Sequence, residues 1–447
     1  MKSPELLSPA GTLEKMRYAF AYGADAVYAG QPRYSLRARN NEFRLEELAI
    51  GIGEAHALGK KFFVASNLMP HNAKVKTYVA DMEPVIALQP DALIMADPGL
   101  ISMVRETWPE MPIHLSVQAN TVNYATVKFW QALGLKRIIL SRELSLDEIA
   151  EIRQSCPDIE LEVFVHGALC IAYSGRCLLS GYFTHRDPTQ RTCTNSCRGD
   201  YKVHEAVEDE GSGIQKIDFD FRGAMETSGL SDCGSQPRHP LADQVYLVEE
   251  SQRPGELMPI LEDEHGTYIM NSKDLRAVEH VARLAEIGID SLKIEGRTKS
   301  LYYVARTAQI YRRAIDDAVA GRPFDPGLLG ELESLANRGY TDGFYQRHHT
   351  QEQQNYLRGH SDSKRSQYVG DVVTYDAATG LAEIVVKNRF QVGDRLEILH
   401  PQGNQTLLLE RMENIEGVTV STAPGSGHRV RIPLGRNLEC GLVTRFL

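Results

Sequence analysis

Four cysteines set the chemical question. Cys170, Cys177, Cys193 and Cys197 have six, fifteen and three residues between them, and Cys233 follows farther along the chain. Four thiolates ligate either the irons of a 4Fe–4S cluster or one tetrahedral Zn²⁺. Structural zinc sites usually carry two close pairs, and only Cys193 and Cys197 form one, so the spacing favours iron and sulfur. Zinc, and cysteines that are simply buried and unligated, remain open alternatives. Cys233 competes as the fourth ligand, but Cys197 is tied to Cys193 by three residues, whereas Cys233 must return through a long acidic segment. Five of the seven cysteines fall within 64 residues. In a reducing compartment such clustering points to metal binding or catalysis rather than disulfides.

The elements that must position these thiols are legible upstream. Short apolar runs, ELLS from Glu5, AVYAG from Ala26, FFVAS from Phe62, ALIMA from Ala92, IHLSV from Ile113, RIIL from Arg137 and LEVFV from Leu161, alternate with segments of helical periodicity. An eighth run, SLKI from Ser291, comes after a long interruption and precedes a helical stretch from Leu301 to Val319. Eight such strands predict a closed (β/α)8 TIM-like barrel over 1–325, with a cysteine-rich, acidic insertion at 167–268 after strand 7. An open doubly wound sheet is the competitor. The GxG at Gly51 to Gly53, within the repeating strand–helix region, lacks the third glycine and lies in a helical pattern, which counts against a dinucleotide fold. Loops after barrel strands build active sites, so the cysteines are placed for chemistry. Residues 326–365 read as a connector, and 366–447 contain six short alternating runs that predict a small antiparallel β-barrel.

Charge qualifies this picture. The chain of 447 residues carries a formal net charge of −10, and 42% of it is hydrophobic. No apolar run approaches the roughly 18 residues of a membrane span, and the N-terminus lacks the apolar core of a secretory signal, so a cytoplasmic protein is expected. Residues 200–264 hold sixteen acids and five bases, which leaves the rest of the chain near neutrality. The acidity therefore does not exclude an RNA substrate. Arg33, Arg37 and Arg39 form a basic loop, and Lys387, Arg389, Arg395, Arg429 and Arg431 either share a nucleic-acid face or are scattered solubilising charges.

The run from Glu162 to Ser180, EVFVHGALCIAYSGRCLLS, matches every fixed position of the peptidase U-32 (collagenase-like) signature, E-x-F-x-x-G-[SA]-x-C-x4-G-x-C-x-[LIVM]-S. The later TCTNSCR, MNSKDL and SLKIEGR resemble the other blocks of that family, across roughly residues 4 to 320; Thr192 stands where many members have glycine. ELLSPAGTLEKMRYAFAYGADAVYAGQPRYSLRARN and HLSVQAN further resemble the family's tRNA-hydroxylating branch. The resemblance implies an iron–sulfur protein in which Cys170, Cys177, Cys193 and Cys197 ligate the cluster. It also implies prephenate as cosubstrate, the tRNA anticodon loop as partner, 5-hydroxyuridine at the wobble position as product and an electron donor of unknown identity.

Polar residues at the strand ends are Ser8, Asn67, Asp97, Gln118, Asn120, Arg142, His166, Glu295 and Arg297. His166 reads as a proton donor beside the cysteine loop or as a structural histidine. Arg142 and Arg297 read as bidentate grips for a dicarboxylate, or as partners of Glu295 and Glu143. With Glu295, these four are the catalytic candidates. A peptidase is the second function class, although no HExxH is present because His204–Glu205 lacks a second histidine three residues on. A non-enzymatic RNA-binding module with structural metal is the third.

Overall fold

A computed structural model describes residues 2–169 except 32 and 37–42, strands at 246–249, 257–263 and 266–268, residues 273–346 except 336 and 338, and residues 366–447. Cys170, Cys177, Cys193, Cys197 and Cys233 lie outside the described residues, as do Arg37 and Arg39.

Seven parallel strands follow in order, β1 (Glu5–Pro9), β2 (Ala26–Gly30), β3 (Lys61–Ser66), β4 (Ala92–Met95), β5 (Ile113–Leu115), β6 (Arg137–Ile139) and β7 (Glu160–Ala168). The next three, β8 (Tyr246–Glu249), β9 (Leu257–Asp263) and β10 (Gly266–Tyr268), pair antiparallel with one another within the insertion. They are followed by β11 (Asp274–Arg276) and β12 (Ser291–Ile294). β12 pairs in parallel with both β7 and β1, so the eight-stranded barrel closes. Each expected run becomes a barrel strand. Ile113 to Val117 is shortened because the chain turns into a 3₁₀ helix at Val117–Ala119.

Neither the three strands of the insertion nor two further strands of the barrel sheet were anticipated. β11 runs antiparallel to the end of β7, and β13 (Tyr340–Thr341), in the expected connector, pairs in parallel with β11. The first part of the connector thus extends the barrel sheet, and the Tyr345 hydroxyl donates to the Phe164 carbonyl.

The barrel interior is ionic where its strands begin. Arg137, with a 3% exposed side chain, bonds Glu5 at 2.6 Å, Glu160 at 2.7 Å and the fully buried Glu162 at 3.1 Å. Lys293 completes the set at 2.8 Å from Glu162. Burial alone would raise the Glu5 carboxyl, but Arg137 and Lys61 outweigh it and hold the pKa below the ordinary value. Burial likewise pulls the Lys293 ammonium down, against the attraction of Glu162.

The C-terminal part is a seven-stranded antiparallel sheet curled into a half-barrel; its edge strands, Gln405–Leu408 and Glu413–Asn414, do not pair with each other. Strict alternation in Leu381–Val386 puts Ala382, Ile384 and Val386 into its own core. This sheet docks on the helix Leu301–Val319. Arg306, 1% exposed, bonds Glu397, and the Gln309 amide donates to the His400 carbonyl at 3.0 Å. Tyr22 reaches the Leu399 carbonyl at 2.9 Å. Among the described residues no helix is long and apolar enough to cross a membrane.

Removing one member of a buried ion pair strands the other. Glu162→Gln is therefore expected to cost about 3–5 kcal/mol in urea unfolding, whereas the double change Glu162→Leu/Lys293→Met recovers most of that loss.

Candidate active site at the barrel mouth

The carboxyl ends of the parallel strands bring one polar ring together. After β6, the Arg142 guanidinium lies 3.8 Å from the ring centre of Phe164 and 3.8 Å from the Glu295 carboxylate, which follows β12. Tyr28, in β2, donates to the Ile294 carbonyl at 3.0 Å and reaches Glu295 at 3.4 Å. Arg297 extends across to the loop after β2, donating to Ser35 Oγ at 2.7 Å and to the Leu36 carbonyl at 2.6 Å. The Leu36 amide donates to Asn67, whose own amide donates to Gln118 at 3.1 Å, and Gln118 also accepts from Ser116. Asp97 serves another purpose, capping the helix Pro98–Thr107 by accepting from Leu100.

The sequence makes this arrangement possible through two absent side chains. A Cβ on Gly30 would lie 2.2 Å from Arg297 Nη1, so only glycine lets the guanidinium pass to Ser35. Gly167 has φ +109°, and a Cβ there would meet the Glu295 carbonyl at 2.5 Å. The glycine of the signature is thus a packing requirement beneath the loop that carries Glu295.

Of the four catalytic candidates, Arg142, Glu295 and Arg297 meet at the mouth, and His166 does not. Its ring is packed among Tyr303, Tyr311 and Tyr340, at centre distances of 5.7, 5.6 and 5.5 Å, between β7 and the helix Leu301–Val319. The Tyr311 hydroxyl donates to the Val165 carbonyl at 2.7 Å, so at 3.3 Å from His166 Nδ1 it accepts, which assigns the imidazole proton to Nδ1. Burial, then Lys299 and Arg276, push the His166 pKa down to about 3. These surroundings favour the structural role over the proton donor. His114 is a second neutral histidine, buried in the barrel beside Phe63, with its pKa driven well down by burial and by Arg137 and Lys293.

Sequence reasoning missed Tyr28, Ser35 and Ser116. Tyr28 had a visible signal, a large polar-tipped ring inside an otherwise small apolar strand; the other two had none. Among the described residues one cluster offers three ligand atoms to a metal, Glu279, His280 and Asp342. Its His280 Nε2 already pairs with Asp342 at 3.0 Å. The remaining described cysteines, Cys156 and Cys440, are far apart in sequence and form no thiolate set.

A parallel barrel with a polar mouth and a long insertion at its seventh strand defines the class. The sequence matches the model of peptidase family U32 over residues 11–355 and that of the family's C-terminal domain over residues 364–445, so the chain belongs to peptidase family U32. Over 98% of its length it is 61% identical to tRNA hydroxylation protein P of Escherichia coli K12, covering 95% of that protein. The protein of the same name from Haemophilus influenzae is 59% identical over 99% of this chain and 96% of its own length. A 23S rRNA 5-hydroxycytidine synthase of Escherichia coli is 28% identical over 97% of this chain and 59% of its own length.

Two outcomes follow. His166 is neutral in the folded protein down to about pH 3 but titrates near 6.5 when exposed. The unfolded chain therefore holds the extra proton between those values, and stability falls as pH drops from about 6.5 towards 3, by up to about 1.4 kcal/mol per unit for this group. His166→Gln should flatten that slope by about one proton in urea titrations at several pH values; an unchanged slope would contradict a neutral buried imidazole. Arg142→Met should lower the modification activity of the enzyme about 10- to 100-fold, the worth of one charge-assisted contact, while its melting temperature stays near that of the parent.

Proposed function

We propose that this chain is a tRNA-modifying enzyme that hydroxylates the wobble uridine to 5-hydroxyuridine, with prephenate as cosubstrate and a 4Fe–4S cluster on Cys170, Cys177, Cys193 and Cys197. The observation that carries the reading is identity of 61% along nearly the whole chain to a protein named for tRNA hydroxylation. The more distant relative, named as a 5-hydroxycytidine synthase, also places a hydroxyl on an RNA pyrimidine. A tRNA substrate places the enzyme in the cytoplasm.

Replacing C–H by C–OH removes two electrons from the pyrimidine, so the reaction needs a two-electron oxidant and an oxygen donor from outside the chain, and a cluster held by the four cysteines would supply one-electron transfer. The remaining work falls to the mouth. An anticodon-loop base is unstacked without opening a duplex, and the half-exposed Gln118 and Asn120 offer amide groups to a uracil edge. Arg142, 3.8 Å from Glu295 and over the Phe164 ring at the mouth, is the cation placed to accept a carboxylate of the cosubstrate. Arg297 acts one step back, fixing the loop after β2 through Ser35 and Leu36.

The peptidase reading finds less support. Among the described residues, the buried His166, His280 and His114 face Tyr311, Asp342 and Phe63 rather than a serine or cysteine nucleophile.

The test is mass-spectrometric analysis of tRNA from a strain lacking the gene. Loss of 5-hydroxyuridine, restored by the parent gene but not by Cys170→Ala, is expected. Normal modification in the deletion strain would overturn the proposal.

A further inference from the structure

The half-barrel carries a groove of about 660 Å³ between the loop after Leu381–Val386, the turn at 424–426 and the outer ends of the strands Ser366–Asp376 and Leu442–Phe446. Its charged lining is Lys387, Arg389 and Arg445, joined by the amides of Gln367, Asn388 and Gln391. Among the described residues no carboxylate and no large apolar side chain lines it. Composition does not explain this, because from Gln367 onward acids outnumber bases nine to eight. The fold has gathered cations on one concave surface. Of the five basic residues that the sequence grouped, Lys387 and Arg389 enter the groove; Arg429 pairs instead with Glu383, and Arg395 lies over Phe446.

The groove's cations are held but not consumed. Lys387 has Asp371 at 3.3 Å and Arg445 has Asp394 at 3.7 Å, both loose contacts made from outside the lining. Gln367 steadies Arg445 at 3.0 Å. Arg389 is exposed and, among the described residues, donates to the Gln391 amide oxygen at 3.4 Å. Cations with neighbouring amides match phosphate oxygens and sugar hydroxyls. The absence of an aromatic ring excludes base stacking, and the absence of apolar side chains disfavours insertion at a lipid surface.

We propose that this groove binds the sugar–phosphate backbone of the tRNA, holding the substrate by charge without reading its sequence. The inference rests on the tRNA reading above and adds where the backbone is gripped.

The experiment uses the full-length protein and an unmodified tRNA transcript, with affinity measured by fluorescence anisotropy across a salt series. Lys387→Ser/Arg389→Ser removes two exposed cations outside the barrel mouth. Its salt dependence should be shallower by roughly 1.4–1.8 in log K against log salt, with affinity weakened about tenfold at low salt. Arg429→Ser, exposed but outside the groove, is the control and should leave the slope in place. Equal binding and slope for the double variant and the parent would overturn the groove while leaving the tRNA reading intact. A slope lowered as much by Arg429→Ser would overturn it too, by showing a general field. A parent that binds no tRNA would overturn both, and binding instead to phosphatidylglycerol vesicles, lost in the double variant, would assign the groove to lipid.

Discussion

The fold depends on one carboxylate held between two basic side chains where no water reaches it. Glu162 is fully buried between Arg137 and Lys293, which come from β6 and β12. β7 is also the strand on which the barrel closes, so the ion pair to β12 lies across the closing seam. A hydrophobic core would fill the same space with less penalty. The ionic one fixes register, because each charge has a partner only when β6, β7 and β12 are aligned as observed. The same alignment presents Phe164, two residues along β7 from Glu162, beneath Arg142 at the mouth.

That constraint separates two layers of the barrel. The charges near the strand starts are mutually satisfied, and Arg137 is held protonated by the carboxylates around it in spite of burial. The ring at the carboxyl ends is looser, built from amides, hydroxyls and a long Arg142–Glu295 contact. Under the proposed function, this rim is where a nucleobase and a small acid would enter. Lys293 lies between the layers, 4.4 Å from the centre of the Tyr28 ring and 5.4 Å from that of Phe164. Its charge reaches both.

Much of this was legible in the sequence for a definite reason. A strand buried on both faces must be apolar along its length, so AVYAG and ALIM announce themselves, and Ser291 to Ile294 was found despite the long interruption before it. β11 and β13 were not, being three and two residues long and stabilised by each other and by β7. The mouth residues Arg142, Glu295 and Arg297 were found because residues after barrel strands converge. His166 shows the limit. Strict alternation from Glu162 and Phe164 places it inside the barrel, but the register shifts between Lys293 and Ile294, so that Ile294 pairs with His166 and the ring turns outward. A one-residue bulge leaves no trace in composition, and it reverses the face of every side chain beyond it.

The pairing of β7 with β11 has a topological consequence. Asp274 lies opposite Ala168, so the chain leaves the barrel and returns to it at two residues in direct register. Ala168 and Asp274 thus form a closed neck, like the last base pair of an RNA hairpin. Closing such a neck costs entropy that grows only with the logarithm of loop length, about 0.6 kcal/mol per doubling. The barrel is thus nearly indifferent to how long that excursion is, and insertion length is free to drift between related proteins while the neck, the seam and the mouth stay in place.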